Sequence, residues 1–239
     1  MATYPNISLL IMFIKPELLD SVNHRKLKVK PISNFSFAKT QRHAPISHTE
    51  MLVASREYVI VFPKASDQPK EVLPVVLLGL QQNQFVNAEG QWIGRYVPAH
   101  FRRYPFVLGN TDQRDAFNVL LDRESEFVSS TEGEALFDDQ GEQTERLRSI
   151  VDFLTLFQRE ALFTTHFVET LRSAGVLMEQ QIQQQSDGQN HVALVGFEVV
   201  DAQKLDALDD AQFIQWRKQG LLPLIYAHLA SLQNIHQLV

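Results

Sequence analysis

The sequence predicts an α+β fold, in which a β-rich N-terminal part with hairpins packs against C-terminal helices. Three observations lead to this prediction: short β-branched apolar runs in the first half, a long apolar repeat of period 3.6 in the second half, and a strand pattern between helices. The length of 239 residues and the hydrophobic content of 44% are enough for a sizeable core. We expect a β-rich part at 1–121, an acidic connector at 122–143 and a mainly helical part at 144–239, together forming one compact unit.

Strands are predicted at two short apolar runs of the first half, YVIVF (58–62) and VLPVVLLGL (72–80). Pro, Asp and Gly bound these runs, as they bound core strands. The stretch QFVNAEGQWI (84–93) predicts a hairpin, because NAEG is a turn sequence between two apolar pairs. Ser47, with Glu50 three residues later, predicts a capping box that opens a short helix reaching Glu57.

The N-terminal run ISLLIMFI (7–14) is predicted to be a buried strand rather than a signal peptide. No Lys or Arg precedes it, and no small-residue cleavage site follows. It is also far shorter than the roughly 20 residues that span a bilayer. No other segment could span a membrane either, so we expect no membrane insertion and a cytoplasmic protein.

The second half predicts helices. From Thr144 to Ala174 apolar residues recur every 3.6 residues, which predicts one long and largely buried helix ended by Gly175. A polar turn is predicted for QQIQQQSDGQN (180–190), and a strand for HVALVGFEVV (191–200). Two helices are predicted to close the chain, at 210–219 and from Pro223 towards Gln237.

The last helix also suggests self-association. Its inner stripe is predicted to comprise Leu224, Ile225, Leu229, Leu232 and Ile235. Three apolar residues are left over for a second surface, namely Leu221, Tyr226 and Leu238. A homodimer is therefore possible.

Charge is distributed unevenly along the chain, whose formal net charge is -6. Residues 1–110 carry 13 basic and 7 acidic side chains, whereas 111–145 carry 2 basic and 11 acidic ones. The basic half is either held against the acidic segment or separate from it as a solvated face. A chain that is acidic overall is a poor candidate for binding nucleic acid.

The motifs that mark common reaction types are missing from the sequence. It has no cysteine, which excludes disulfides and thiolate chemistry, and it contains none of the GxSxG, GxGxxG or GxxxxGK[ST] motifs. Its eight histidines show neither HExxH nor the i, i+4 spacing that places two imidazoles on one helix face. We therefore predict no metal and no cofactor, and an enzyme would need an unmarked site.

The stretch GQWIGRYVPAHFRRYPFVLGNT (90–111) is the best candidate for a ligand site, since it combines three arginines, a histidine and five aromatic rings with no acidic residue. Guanidinium groups stack on aromatic rings and grip carboxylates through paired hydrogen bonds. The predicted ligand-binding residues are Trp92, Arg95, Tyr96, His100, Arg102, Arg103 and Tyr104. The ligand would be an anion, a peptide C-terminus or an acidic protein segment. The alternative is a structural corner, in which Arg102 and Arg103 pair with acids of 112–145.

Arg102 and Arg103 are expected to have different roles. Adjacent side chains point to opposite faces of a strand, and they diverge by about 100° on a helical turn. One arginine should anchor the acidic segment or a backbone carbonyl. The other should face a groove together with Arg95, Tyr96 and Tyr104.

The chain resembles the SapC family, which is named after a surface-array (S-layer) gene cluster. The resemblance runs from about Leu18 to the C-terminus and rests on NHRKLKVKP, NFSFAKTQRHAPISHTEM, PVVLLGL, NQFVNAEGQWIGRYVPAHFRRYPFVL and GLLPLIYAHLASLQNIHQL. The YVPA and RRYPF elements are its most specific part. Tyr58-Val59 replaces the tyrosine-proline pair that usually precedes the IVF strand.

The resemblance implies a cytoplasmic accessory role rather than a residue-level mechanism. Genes of such proteins often lie beside those of TonB-dependent receptors and of proteins like flavin-dependent tryptophan halogenases, which suggests uptake or modification of peptides or glycans. The leading hypothesis is a non-catalytic binding protein that recognises a peptide or an acidic partner. The alternatives are an enzyme, or an enzyme partner, in a halogenase- or oxygenase-linked pathway, and an S-layer-associated component.

Overall fold

A computed structural model describes residues 12–64, 72–110, 117–186 and 189–238, and it confirms the predicted α+β class. The strands are β1 (Pro16–Leu18), β2 (Lys28–Val29), β3 (His43–Pro45), β4 (Val59–Pro63), β5 (Val75–Leu77), β6 (Phe106–Asn110), β7 (Phe117–Asp122), β8 (Val128–Ser129), β9 (Glu134–Ala135), β10 (Leu177–Ser186) and β11 (Gln189–Val200). The helices are α1 (His48–Ala54), α2 (Ala99–Arg102), α3 (Glu145–Ser173), α4 (Ala202–Asp206), α5 (Asp210–Lys218) and α6 (Leu222–Ser231), with 3-10 helices at Ser36–Ala38 and Leu232–Gln237.

The strands form three antiparallel sheets. Their orders are β1-β7-β6, β10-β11-β4-β5-β3 and β8-β2-β9. The five-stranded sheet joins the two halves of the chain, because β11 pairs with β4 through Phe197–Pro63 and Glu198–Phe62. Segments far apart in sequence therefore depend on one another for their hydrogen bonds.

The long helix α3 has the bounds that its apolar repeat predicts. Thr144 caps its N-terminus, since Thr144 Oγ1 accepts a hydrogen bond from Leu147 N at 3.3 Å. Gly175 follows its C-terminus with a φ of +67°, a conformation that favours glycine. The helix is less buried than its apolar content predicts, because Leu162 and Phe163 are 58% and 43% exposed. The buried positions in this part of α3 are 161, 164, 165, 167 and 168.

The predicted polar turn at 180–190 is wrong. Residues 177–186 form β10, which pairs antiparallel with β11, and the strand predicted at 191–200 begins two residues earlier, at Gln189. Ile182 is buried in a cluster with Phe197 and Val199, and the register shifts around it. Backbone pairing and one apolar anchor suffice for a strand here, although its other residues are mostly glutamine.

The capping box at Ser47 is confirmed, although α1 ends at Ala54 rather than reaching Glu57. The predicted hairpin at 84–93 is reduced to a turn closed by a single bridge between Val86 and Trp92. The predicted strand at 7–14 lies outside the described residues up to position 11. Of the three described residues of this run, 12 and 13 are buried in the main core, Ile14 is 70% exposed, and none of them lies in a strand, so the prediction is wrong at this end.

Parts of the acidic connector pack into the protein, as its apolar residues predict. Phe127, Leu136 and Phe137 are buried. Strand β2 lies between β8 and β9, so a basic strand is inserted into the acidic segment. There Lys28 Nζ donates to the Thr131 carbonyl at 3.1 Å. The basic N-terminal half is thus held against the acidic segment at this sheet.

The C-terminal helix is shorter than predicted, because α6 gives way to a 3-10 helix at Leu232. The change from 3.6 to 3.0 residues per turn rotates Ile235 out of the predicted inner stripe, and it is 41% exposed. Leu221 and Leu238 are buried, so of the proposed second surface only Tyr226 is exposed. The homodimer stays a prediction, without the surface that suggested it.

His228 on α6 is inserted between two strands of the five-stranded sheet. Continuing the β4–β11 register places Val200 opposite Ile60, but the imidazole lies between them. His228 Nε2 accepts from Val200 N at 3.0 Å, and Nδ1 donates to the Ile60 carbonyl at 2.9 Å. These bonds require the neutral imidazole, and burial lowers the pKa of His228 to about 4.

We expect His228 to make stability depend on pH. The folded-state pKa lies below the ordinary value of about 6.5, so the unfolded chain binds the proton first and stability is lost as the pH falls from 6.5 towards 4. Between pH 7 and pH 5 this single group should cost about 2 kcal/mol of unfolding free energy. Urea denaturation of the wild type and of His228→Gln at both pH values measures the difference. Equal losses in the two proteins would contradict the assignment.

Candidate functional site

The candidate segment is fixed by a buried carboxylate, Glu50 on α1. Glu50 Oε2 accepts from Ser47 N at 2.9 Å, which is the capping-box bond. Oε1 accepts from Tyr96 Oη and from Ala99 N, both at 2.8 Å. One side chain therefore starts α1 and also holds the segment from Tyr96 to the start of α2.

A second glutamate, which follows α1, fixes the backbone of the candidate segment at Arg95 and Tyr96. Glu57 accepts from Arg95 N at 2.9 Å and from Tyr96 N at 2.7 Å. The Tyr96 carbonyl accepts from Trp92 Nε1 at 3.0 Å and also from Tyr58 Oη. The backbone of Tyr96 is thus held on both sides by buried or half-buried polar groups.

Gly94 permits this close packing. A Cβ at this position would lie 2.8 Å from both Trp92 Nε1 and Tyr58 Oη. Contacts that short do not occur in real structures, so any larger residue would displace the Trp92–Tyr96 hydrogen bond.

Arg102 is exposed and held in a fixed orientation. Its Nε donates to the Val97 carbonyl at 3.0 Å, and its Nη2 donates to Tyr96 Oη at 3.2 Å. The guanidinium carbon lies 5.6 Å from the centre of the Tyr96 ring and 5.5 Å from that of Phe153 on α3. Among the residues that the structure describes, no carboxylate forms an ion pair with Arg102.

Arg103 lies in a different environment from its neighbour, as adjacency predicts. Its side chain is buried, and its guanidinium packs against the rings of Phe13 and Phe157. Nη2 is 3.3 Å from His100 Nδ1, and Nε is buried without a hydrogen-bond partner. Burial lowers the pKa of Arg103 to about 10, which leaves the group cationic at neutral pH.

Tyr104 belongs to the core rather than to an exposed surface. Its ring stacks on Phe37 at 4.2 Å, and its hydroxyl donates to Asp122 Oδ2 at 3.0 Å. Burial is the main cause that raises the pKa of Tyr104 to about 12, so the phenol is protonated. The tyrosine therefore ties the end of α2 to the end of β7.

The structure divides the seven predicted site residues into two groups. Arg95 and Arg102 are exposed and Tyr96 is half-buried, and we define the cationic–aromatic surface as Arg95, Tyr96, Arg102 and Phe153. Sequence reasoning missed Phe153 as part of it, and it also missed the anchoring carboxylates Glu50 and Glu57. Only the capping-box spacing of Glu50 gave any sequence signal.

The inward group contains the rest of the predicted residues. His100, Arg103 and Tyr104 are buried, and Trp92 is half-buried and packs against Phe101. Burial, with a further contribution from the charge of Arg103, lowers the pKa of His100 well below its usual range. This imidazole is therefore neutral.

A hydroxyl, an imidazole and a carboxylate also come together between α1 and α3. His48 Nδ1 is 3.2 Å from Thr164 Oγ1, and His48 Nε2 is 3.2 Å from Glu160 Oε2. The Thr164 hydroxyl is fully buried, donates to the Glu160 carbonyl at 2.6 Å and accepts from His48 N. Its proton and lone pairs are already used, so this trio stabilises the helix contact and offers no available nucleophile.

Two surface clefts lie away from the candidate segment. One, of about 420 Å³, has Leu18, Asp20 and Glu142 among its lining residues. The other, of about 410 Å³, lies between α3 and α5. In the described part of the chain no group of three or more metal-ligating side chains occurs.

Fold and site together define an α+β protein with an oriented, exposed guanidinium set between aromatic rings, a geometry suited to binding a carboxylate. The SapC family model matches residues 19–238, and the chain belongs to the SapC family. No curated protein and no solved structure shows significant similarity to it. No helix among the described residues is long and apolar enough to cross a membrane.

Proposed function

We propose that this SapC protein is a non-catalytic binding protein of the cytoplasm that recognises an acidic segment of a peptide or protein partner. The observation that carries the proposal is the geometry of Arg102. Its guanidinium is exposed and held in place, and in the described part of the chain it lacks a carboxylate partner. A cation fixed before binding loses little conformational freedom when a ligand arrives.

The partner's carboxylate would accept hydrogen bonds from the guanidinium N–H groups of Arg102 that the protein does not use. Arginine carries five N–H donors, and the protein uses two of those on Arg102. Arg95, next to Tyr96, supplies a second exposed positive charge. Two charges of one sign favour an acidic partner and exclude a basic one.

The neighbouring surface adds an apolar contact. Leu156 lies three residues after Phe153 on α3 and is 45% exposed. Residues at this spacing share a helix face, so Leu156 extends the aromatic platform beneath Arg102. We therefore expect the recognised segment to combine a Glu or Asp with a large apolar residue.

Replacing Arg102 by alanine should weaken binding of such a segment about 10- to 100-fold, because a hydrogen bond to a charged group contributes about 1.5–3 kcal/mol. The stability of the protein should change little, because Arg102 is exposed. Fluorescence anisotropy with a labelled acidic, leucine-containing peptide measures the affinity, and thermal melting measures the stability.

Arg217→Ala is the matched control, because it removes the same charge from an exposed position on α5. Its affinity should equal that of the wild type, whereas Arg102→Lys should retain the charge but lose the fork and bind weakly. Equal affinities of the Arg102→Ala and Arg217→Ala variants would contradict the proposal.

A further inference from the structure

Arg103 is a buried cation that has no counter-ion among the described residues. It is 7% exposed, and among the described residues no carboxylate lies within ion-pair distance. Its one hydrogen bond goes to His100 Nδ1, and its Nε is sealed from solvent without a partner. An unpaired buried charge is strongly unfavourable, and buried polar groups without partners are rare in native proteins.

Two buried carboxylates of the described fold are bonded far more completely than this guanidinium. The buried carboxylate of Glu50 accepts from Tyr96 Oη and from two backbone N–H groups. The buried carboxylate of Asp122 accepts from two backbone N–H groups and from Tyr104 Oη. Both buried acids are fully bonded, whereas the guanidinium of Arg103 is not.

His100 does not compensate for the charge. Because Arg103 donates to Nδ1, the proton of the neutral imidazole is on Nε2. The ring is an acceptor for Arg103 and carries no negative charge. A net positive charge therefore remains in a site surrounded by aromatic rings.

The rings determine which direction is open to a ligand. The guanidinium carbon is 5.1 Å from the centre of the Phe157 ring and 6.0 Å from that of Phe13. The two rings pack against the guanidinium and block approach from their side, so a ligand must approach its N–H groups. A planar carboxylate matches those edges with two parallel hydrogen bonds.

We propose that Arg103 is the centre of a second binding site, which takes the carboxylate of a small monoanionic ligand or of a peptide through those guanidinium N–H groups that have no partner among the described residues. A single negative charge neutralises the single buried cation, whereas a phosphate dianion would leave an excess charge in an apolar site. This site is independent of the cationic–aromatic surface around Arg102. Carboxylate binding at Arg103 and peptide binding at Arg102 are measured in separate experiments, so one proposal can be contradicted without the other.

The test is thermal melting at constant ionic strength, with acetate or benzoate replacing chloride and with inorganic phosphate for comparison. At a tenfold excess over its dissociation constant, a carboxylate should raise the melting temperature of the wild type by roughly 3–6 °C. Phosphate should raise it less. A peptide with a free C-terminus, compared with its amidated form, distinguishes a peptide carboxylate from a free acid.

Arg103→Met removes the charge while filling the space between the rings. In chloride it should melt at or above the wild-type temperature, because the unpaired buried cation is gone, and it should not respond to carboxylates. Arg102→Met, the neighbouring control, should keep the wild-type response. Arg103→Lys, which keeps the charge without the planar fork, should lose most of the response.

The proposal is overturned if none of the carboxylates, free or peptide-borne, stabilises the wild type beyond chloride. It is also overturned if Arg103→Met responds to carboxylates as the wild type does.

Discussion

Replacing Asp122 by alanine is expected to lower the free energy of unfolding by about 3–5 kcal/mol, because stranding each buried donor costs about 1–3 kcal/mol. Asp122 is fully buried at the end of β7. Its carboxylate accepts from Ile14 N at 2.9 Å, from Lys15 N at 2.8 Å and from Tyr104 Oη at 3.0 Å. Alanine leaves all three donors without this acceptor: the Tyr104 hydroxyl is buried, and the two backbone N–H groups are in part-buried positions. Urea denaturation followed by circular dichroism measures the loss.

The matched control is Asp139→Ala, which removes an exposed carboxylate from the same acidic region. This substitution should change the free energy of unfolding by no more than about 0.5 kcal/mol. Tyr104→Phe removes one of the three bonds and should cost about 1–2 kcal/mol. A loss in Asp122→Ala no larger than that in Asp139→Ala would show that the carboxylate does not hold β1 and α2 against β7.

The sequence predicted the elements whose signal is local. The apolar residues of α3 recur within a turn of one another, and the two residues of the Ser47–Glu50 capping box are three positions apart; both features are present. Strand β10 was missed because its glutamines give no alternation, and its identity depends on pairing with β11. The end of the inner stripe at Ile235 was missed because a switch to 3-10 geometry leaves no clear mark in apolar spacing.

The candidate site was predicted only in outline. Adjacency alone predicted that Arg102 and Arg103 lie in different environments. It did not predict which of them is buried, because that depends on where α3 packs. The second bond set of Glu50 joins residues 46 and 49 positions apart, and no local pattern encodes such a contact.

Replacing Glu50 by alanine should reduce both stability and partner binding. Three donors would lose their acceptor, namely Ser47 N, Tyr96 Oη and Ala99 N, at a cost of about 3–4 kcal/mol. Tyr96 Oη is also the group that accepts from Arg102 Nη2. Freeing the phenol removes one of the two bonds that orient the guanidinium, so affinity for an acidic peptide should fall as well. Urea denaturation and fluorescence anisotropy on the same samples measure the two losses.

Conservative variants distinguish the contribution of Glu50 to stability from its contribution to the orientation of the Arg102 guanidinium. Glu50→Gln keeps the shape but turns an amide N–H₂ towards N–H donors, so it should still be destabilised. Tyr96→Phe leaves the capping box and the Ala99 bond intact, and it should cost only about 1 kcal/mol of stability. Because it removes the hydroxyl beside Arg102, it should nevertheless weaken peptide binding several-fold. Glu89→Gln, at an exposed turn position, should change neither property. If Tyr96→Phe binds the peptide as tightly as Glu89→Gln, the fixed orientation of Arg102 does not contribute to recognition, and Glu50 serves stability alone.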